Sequence, residues 1–389
     1  MHKKRIVILG STGSIGINTL KVVSRLQQKF TIFGLTAYNN FKLLEKQIRV
    51  FSPKQVAVSS KGIEYLRQNI NTRKVKIFNV DTELEEFVSN KNIDIVVIAM
   101  RGSIALKPFL TAVRLGKRVT PANKEALVIA GEIIMKEAKK HRAEIIPIDS
   151  EQSAIFQCLK GNDVNIVKKI LLTASGGPLL NIPKSKFRDM SVEQILKHPK
   201  WKMGKKITVD SATLMNKGFE VIEASRLFNV AVTNITVIIH PEAIIHSMVE
   251  FQDGSIVAQM GIADMRLPIQ YALTYPKRTD TGLRSLDFFK LKQLTFTPPD
   301  LRRFPSLSLA IYTGEKGGTL PAVLNAADEE AVEAFLKREI AFSNIYDIVE
   351  KTVMSHRVNN TVTLNNIISA EQWARETAKS FIYKMHNRK

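Results

Sequence analysis

Cysteine is almost missing from this chain: Cys158 stands alone among 389 residues. An internal disulfide is therefore excluded, and so is a Cys-x-x-Cys metal or redox site. A reducing compartment fits this usage, and Cys158 itself reads as a small buried apolar residue. Long apolar runs are missing too. Nothing approaches the roughly 18 residues that span a bilayer, and the apolar run near the start is too short for a signal peptide. The expectation is a cytoplasmic protein without a membrane partner. Acids are scarce, 36 Asp and Glu against 57 Lys and Arg, giving a formal charge of +21. Such an excess suits a nucleic-acid partner, an anionic small molecule, or a merely lysine-rich composition. The bases are spread from Lys3 to Lys389, with no long basic block and no aromatic–basic ribonucleoprotein signature. A phosphorylated small molecule is therefore expected, and nucleic acid is not. Internal repeats and low-complexity tracts are also absent. What is there is 44% hydrophobic and 24% charged, the make-up of a soluble globular protein long enough for two or three domains.

The first third alternates strand and helix patterns. A buried-type strand at 5–9 meets Gly10-Ser11-Thr12-Gly13-Ser14-Ile15-Gly16, and an amphipathic helix follows to about 26. Glycines at a strand–helix junction allow close backbone approach, and the helix start offers amides and a positive dipole end to a pyrophosphate. The spacing is G-x-x-G-x-x-G rather than the commoner G-x-G-x-x-G, so an ordinary tight turn is the competing reading. After the second strand, 31–36, the chain reads Ala37-Tyr38-Asn39-Asn40. An acid there would hold a ribose diol and repel a 2′-phosphate, so its absence favours NADP. Further strands are expected at 55–58, 75–78, 94–99, 118–120 and 144–148, with helices such as 41–50, 83–89 and 105–115 between them. That order gives a parallel, doubly wound sheet over residues 1–148. Lys124, in Pro121-Ala122-Asn123-Lys124-Glu125, falls at the carboxyl end of one of these strands, the edge where such folds bind ligands. It equally suits a surface lysine near a helix start.

The stretch 145–153, IIPIDSEQS, is where the chemistry is expected. In an extended chain Asp149 and Glu151 would face one space and Ser150 would not. Two neighbouring carboxylates repel unless a positive group lies between them. A hard divalent cation such as Mg²⁺ or Mn²⁺ is one solution; a solvated Asp-Ser-Glu turn is the other. A helix is expected at 153–159 and a strand at 169–173, leading into Ser175-Gly176-Gly177, whose amides and hydroxyl suit an anion or an ordinary turn. Residues 198–206, HPKWKMGKK, form a cationic, aromatic loop that reads as a lid closing on an anionic ligand, or as a surface loop with Trp201 packed down. One helix is expected over 209–224, with Asp210 or Ser211 near its N-cap. Asn216, Glu220 and Glu223 then share a face, and Glu220 is the natural third carboxylate beside Asp149 and Glu151. A strand at 235–239 and two more at 247–252 and 255–261, joined by Asp253-Gly254, make an open mixed sheet with a hairpin.

The fold class is α/β. A doubly wound domain (1–148) precedes a central α/β domain with an open mixed sheet (149–276, lid loop 197–206). A linker (277–305) and a C-terminal helical bundle (306–389) follow, with helices at 307–313, 321–337, 342–355 and 370–385.

These segments together resemble the 1-deoxy-D-xylulose 5-phosphate reductoisomerases over essentially the full length. The resemblance is carried by GSTGSIG at 10–16, ANKEALV at 122–128, PIDSEQSAIFQ at 147–157, TASGGP at 173–178, HPKWKMGKKITVDSATLMNKGFEVIEA at 198–224, HPEAIIHSMVEF at 240–251 and GGTLPAVLNAADEEAV at 317–332. It implies a Rossmann-like first domain, a central domain that also dimerises, and a homodimer. It implies NADPH-dependent rearrangement and reduction of 1-deoxy-D-xylulose 5-phosphate to 2-C-methyl-D-erythritol 4-phosphate, in non-mevalonate isoprenoid precursor synthesis, by retro-aldol cleavage and re-addition or by migration. Asp149, Glu151 and Glu220 would ligate Mg²⁺ or Mn²⁺ as a Lewis acid on adjacent substrate oxygens. Lys124 and Ser150 would contact the reacting end, and Lys124 would stabilise oxyanion charge. Ser175, Ser211, Asn216 and Lys217 would hold the phosphate. His198, Trp201 and Met203 would belong to the lid, and Glu223 and His246 would flank the substrate. Thr12, Gly13, Ser14, Ile15, Tyr38, Asn39, Asn40, Asn123, Glu125 and Gly204 would line the NADPH site.

Three positions depart from the family pattern. Tyr38-Asn39-Asn40 stands where Gly-Lys-Asn is common, so a lysine for the 2′-phosphate is missing. Ala99-Met100-Arg101-Gly102-Ser103 replaces a smaller, more apolar stretch, and Gln152 replaces a frequent histidine. The alternatives are an NADP-dependent dehydrogenase of another phosphorylated substrate, and a basic binding protein on a dinucleotide fold. The first would not need the three carboxylates together. The second would bind nucleic acid in a salt-sensitive way.

Overall fold

The structure is a computed structural model that describes residues 3–100, 102–197 and 204–386. It divides into two compact units. The first comprises Met1–Ala126, Ile134–Ser153 and Asp264–Leu283; the second comprises Leu127–Ile133, Ala154–Ala263 and Arg284–Lys389.

The first unit is built on a parallel sheet of six strands: β1 (Lys4–Leu9), β2 (Phe30–Thr36), β3 (Gln55–Val58), β4 (Lys76–Asn79), β5 (Ile95–Ile98) and β6 (Arg118–Pro121). Their order is β4-β3-β2-β1-β5-β6. Ile6 to Leu9 and Ile95 to Ile98 have no exposed surface. Strands covered by helices on both faces read as continuous apolar runs rather than alternating ones, which is why these segments lack a period of two. The order reverses between β1 and β5, so the carboxyl ends of those two strands open the crevice where such sheets take their ligands.

The strand expected at 144–148 is not a full strand. It makes one isolated bridge, Val119 to Ile145, with Ile146 and Ile148 donating to the Val119 and Pro121 carbonyls at 3.0 and 2.9 Å. Pro147 between them has no amide to give, as suits the outer edge of a sheet.

The second unit holds a four-stranded mixed sheet: β7 (Val167–Ala174), β8 (Ile235–Ile239), β9 (Ile245–Phe251) and β10 (Ile256–Met260). The order is β10-β9-β7-β8, with β7 and β8 parallel and the other pairs antiparallel. The expected hairpin is present, and Gly254 takes the left-handed conformation (φ 83°) in its turn. Four helices, Pro305–Lys316, Leu320–Leu336, Asn344–Met354 and Leu364–His386, form the C-terminal part. Each starts within a turn or two of its expected place.

The helix expected over 209–224 is two helices, Lys205–Thr213 and Met215–Phe228, broken at Leu214 with φ 60°. Asp210 and Ser211 therefore lie inside the first helix, not at an N-cap. The Thr213 hydroxyl secures the break, donating to the Asp210 carbonyl at 3.1 Å and accepting from the Met215 amide at 3.2 Å.

Candidate active site

At the end of β1 the chain turns on Gly10, whose φ is 92°. A Cβ on Gly10 would lie 2.7 Å from the Ala99 carbonyl oxygen, and one on Gly16 would lie 2.3 Å from the Gly10 carbonyl oxygen. Those two glycines are required by packing, whereas Gly13 is exposed and has room. Gly13 caps the helix Ser14–Arg25 without a side-chain bond, and no acid stands in its first turn. A helix start of this kind favours an anion. Thr12 and Ile15 are half-buried, and Ser14 is exposed.

The turn is held from β2 and the next helix. Ser11 donates to Gln47 Oε1 at 2.6 Å and Gln47 Nε2 returns a bond to the Ser11 carbonyl at 2.9 Å. The Gly10 amide donates to Thr36 Oγ1 at 2.7 Å. Gln47 was not anticipated; its signal was a polar residue on the buried stripe of the helix Phe41–Phe51, between Leu44 and Ile48. Tyr38, Asn39 and Asn40 are exposed beyond β2. Asn40 caps that same helix by accepting from the Leu43 amide at 3.3 Å. The charge of Asp81 raises the pKa of the Tyr38 phenol.

Asn123, only 2% exposed, ties the ends of β5 and β6 together. Its amide donates to the Met100 and Gly102 carbonyls at 2.8 and 3.1 Å, and its oxygen accepts from the Ala126 amide at 2.8 Å. This fixes the start of the helix Lys124–His141, where Glu125 supplies a first-turn acid. Lys124 is buried, and its Nζ lies 2.8 Å from Asp149 Oδ2. The cost of a cation at a helix start is thus offset by a carboxylate.

The extended geometry expected for 149–151 is not what forms. A helix runs from Ser150 to Leu159, and the Asp149 carbonyl already accepts from the Ser153 amide at 2.8 Å. Asp149 therefore stands at the N-cap position and Glu151 in the first turn, where the dipole stabilises carboxylates. Ser150 donates to the Glu151 carboxylate. Gln152 is fully buried. Within this unit Asp149 has the Lys124 ammonium beside it, and both acids have the helix start.

The second unit carries the remaining candidates. After β7, Gly176 and Gly177 have φ of 84° and 69°, and the Gly177 amide donates to Ser175 Oγ at 3.4 Å. A Cβ on Gly177 would lie 2.3 Å from the Ser211 carbonyl oxygen. The loop thus packs directly on the helix Lys205–Thr213, bringing the chain around Ser175 and Ser211 together. Gly204 caps that helix. On Met215–Phe228, Glu220 is 1% exposed and Lys217 is 4% exposed. Glu220 accepts from Asn216 Nδ2 at 2.5 Å and pairs with the Lys217 ammonium. Glu223, a turn further on, is buried, as is His246 on β9. His198, Trp201, Met203 and Arg101 lie outside the described residues.

His240 is committed to holding its own loop. Its Nδ1 donates to the Thr295 carbonyl at 2.9 Å, and Nε2 accepts from the Ile244 and Ile245 amides, both at 3.2 Å.

A parallel sheet with an uncapped glycine turn at its switch point is the architecture of the dinucleotide-binding α/β enzymes. Comparison with known proteins narrows the class. Family models match in three places. Residues 6–131 match "1-deoxy-D-xylulose 5-phosphate reductoisomerase", residues 145–228 its C-terminal domain, and residues 260–377 the DXP reductoisomerase C-terminal domain. A protein named 1-deoxy-D-xylulose 5-phosphate reductoisomerase from Caldanaerobacter subterraneus subsp. tengcongensis is 51% identical over 375 residues, 96% of this chain and 98% of that one. Its namesake from Pelotomaculum thermopropionicum is 47% identical over 391 residues, 99% of this chain and all of that one. A crystal structure of DOX-P reductoisomerase with NADPH, fosmidomycin and magnesium has a TM-score of 0.93 at 37% identity, covering 98% of this chain and 99% of that one. The Zymomonas mobilis enzyme in complex with NADPH has a TM-score of 0.91, also at 37% identity, covering 98% of this chain and 99% of that one. The chain belongs to the 1-deoxy-D-xylulose 5-phosphate reductoisomerase family.

Proposed function

We propose that this protein converts 1-deoxy-D-xylulose 5-phosphate to 2-C-methyl-D-erythritol 4-phosphate, using NADPH and a divalent cation, Mg²⁺ or Mn²⁺. The observation that carries the reading is near-full-length identity of about half to proteins of that name. When bound, the cation supplies a Lewis acid for the adjacent carbonyl and hydroxyl oxygens, and the dinucleotide supplies the hydride that reduces the rearranged aldehyde.

Asp149, Glu151 and Glu220 are the proposed cation ligands, an all-oxygen donor set that suits a hard divalent ion. Two of them are paired with lysines, Asp149 with Lys124 and Glu220 with Lys217. An ammonium on a flexible stem can serve a carboxylate and turn to a substrate oxygen. Lys124 then stabilises oxyanion charge at the reacting end beside Ser150. Lys217 joins Asn216, Ser175 and Ser211 on the phosphate. Binding the remote phosphate helps to position the reacting carbons. His198 and Trp201 complete the substrate set from the loop 197–206, with His246 beside it. The dinucleotide is assigned to Thr12, Gly13, Ser14 and Ile15 for the pyrophosphate, to Tyr38, Asn39 and Asn40 for the adenosine end, and to Asn123, Glu125 and Gly204 nearer the reacting ring.

A homodimer and a cytoplasmic location belong to the same reading. β10 ends its sheet and exposes Ile256 and Val257 by 53% and 41%, an edge that a second copy can cover. No described helix is long and apolar enough to cross a membrane.

The direct test is absorbance of NADPH with 1-deoxy-D-xylulose 5-phosphate, with and without Mg²⁺ or Mn²⁺, and with NADH in parallel. Metal-dependent loss of NADPH is expected, and NADH should be the poorer donor. Substantial turnover after complete chelation would overturn the metal-assisted route. No turnover from folded protein that still binds NADPH would point to a dehydrogenase of another phosphorylated substrate.

A further inference from the structure

A buried charge cluster lies behind the proposed phosphate site, wholly within the second unit. Lys206, in the first turn of the helix Lys205–Thr213, reaches two carboxylates. Its Nζ is 2.7 Å from Asp210 Oδ2 on the same helix and 2.8 Å from Asp328 Oδ2 on Leu320–Leu336. The same ammonium lies 4.7 Å from the centroid of Phe219, on Met215–Phe228. One cation therefore touches three helices. Asp328 has no exposed surface and Asp210 has 2%.

Burying two acids around one ammonium is costly unless they are hydrogen-bonded as well as paired. Burial pushes the Asp328 carboxyl above its ordinary range against the pull of the Lys206 charge, and the ammonium between them is what draws the two acids together. The nearby Glu329 is itself paired, with Arg375 at 2.5 Å. The neighbour of Asp210 in sequence is Ser211, whose carbonyl is the atom against which Gly177 packs. The helix that Asp328 grips is thus the one that sets the spacing between Ser175 and Ser211.

We propose that Asp328 is a positioning residue: through Lys206, which also holds Asp210, it anchors the helix Lys205–Thr213, and so places Ser211 for the substrate phosphate. This rests on the phosphate assignment above. The distance along the chain between Asp328 and the residues it serves hides this link from any local motif.

The test compares Asp328→Ala, Asp328→Asn and Ser211→Ala in the full-length holoenzyme with Mg²⁺. Asp328→Ala should raise KM for 1-deoxy-D-xylulose 5-phosphate by about tenfold, well inside what a small misplacement costs, with KM for NADPH unchanged and a smaller loss in kcat. Asp328→Asn keeps an acceptor for Lys206, so it should stay close to wild type. Hydrogen exchange of the same proteins should show the amides of 205–213 opening about tenfold faster in Asp328→Ala, with those of Met215–Phe228 little changed.

Unchanged exchange over 205–213 would overturn the anchor. So would a uniform loss of kcat with both KM values intact, which is the mark of lost folded enzyme. If Asp328→Ala fails to fold, Lys206→Gln replaces it under the same two criteria. If Ser211→Ala leaves KM unchanged while Asp328→Ala still loosens 205–213, the phosphate assignment is at fault and the anchor stands.

Discussion

Glu220 is a carboxylate almost without exposed surface, held by Asn216 and Lys217 on its own helix. A charge so placed is expensive to keep, and a residue needed only for stability could be apolar at lower cost. Glu220→Gln keeps the shape and the bond from Asn216 but removes the charge that a cation would need. Lewis-acid assistance is worth several kcal/mol, so kcat should fall by about 100-fold or more. NADPH binding, followed by fluorescence, should be unaffected, and activity should be normalised to native circular dichroism because Lys217 loses the Glu220 charge. A variant that kept most of its kcat would remove Glu220 from the proposed ligand set.

The shared face of Asn216, Glu220 and Glu223 was legible from spacing, since this part of the helix is continuous. Asp149 and Glu151 were legible as a pair but not in their geometry. The chain turns into a helix at Ser150, so alternation along a strand did not apply. Gln47 and Asp328 were not legible, because the atoms they serve lie far away in sequence. Cys158 was legible as a buried small residue; it is 3% exposed, and burial pushes its thiol up to about 11.

Between elements, the helix Met215–Phe228 meets Pro305–Lys316 at very close range. A Cβ on Gly218 would come within 2.3 Å of Ala310 Cβ, so glycine is needed here for approach rather than for backbone conformation. Gly218→Ala forces two helices apart or off their rotamers, and overpacking of this kind costs about 1–3 kcal/mol. A urea titration should show that loss as a lower midpoint with an unchanged slope. An unchanged midpoint would mean that the two helices separate without penalty. Because Gly218 sits between Lys217 and Glu220, the loss should be accompanied by a higher KM for the phosphorylated substrate.

Strand and helix order in the first unit was legible because buried parallel strands and amphipathic helices leave unlike patterns. The break at Leu214 was not, since leucine is neither glycine nor proline and nothing in its neighbours announces a left-handed residue. The segment at 144–148 misled in the opposite way. It is apolar enough for a strand, but Pro147 denies it part of a ladder.

Over the whole molecule the formal charge of +21 and a pI near 9.9 bear on encounter rather than on fold. Both the sugar phosphate and the dinucleotide are anions, so a positive protein draws them in at low salt. The screening length falls from about 30 Å at 0.01 M to about 3 Å at 1 M. Over that range kcat/KM for 1-deoxy-D-xylulose 5-phosphate should decline steadily and then level off, while kcat at saturating substrate should hardly move. The separation follows from where the charge acts: long-range attraction is lost before binding, whereas the buried pairs of Lys124 with Asp149 and Lys217 with Glu220 are screened far less. A flat kcat/KM would show that the surplus lysines lie away from the approach to the site. A parallel fall in kcat would instead place the salt-sensitive step after the substrate has bound.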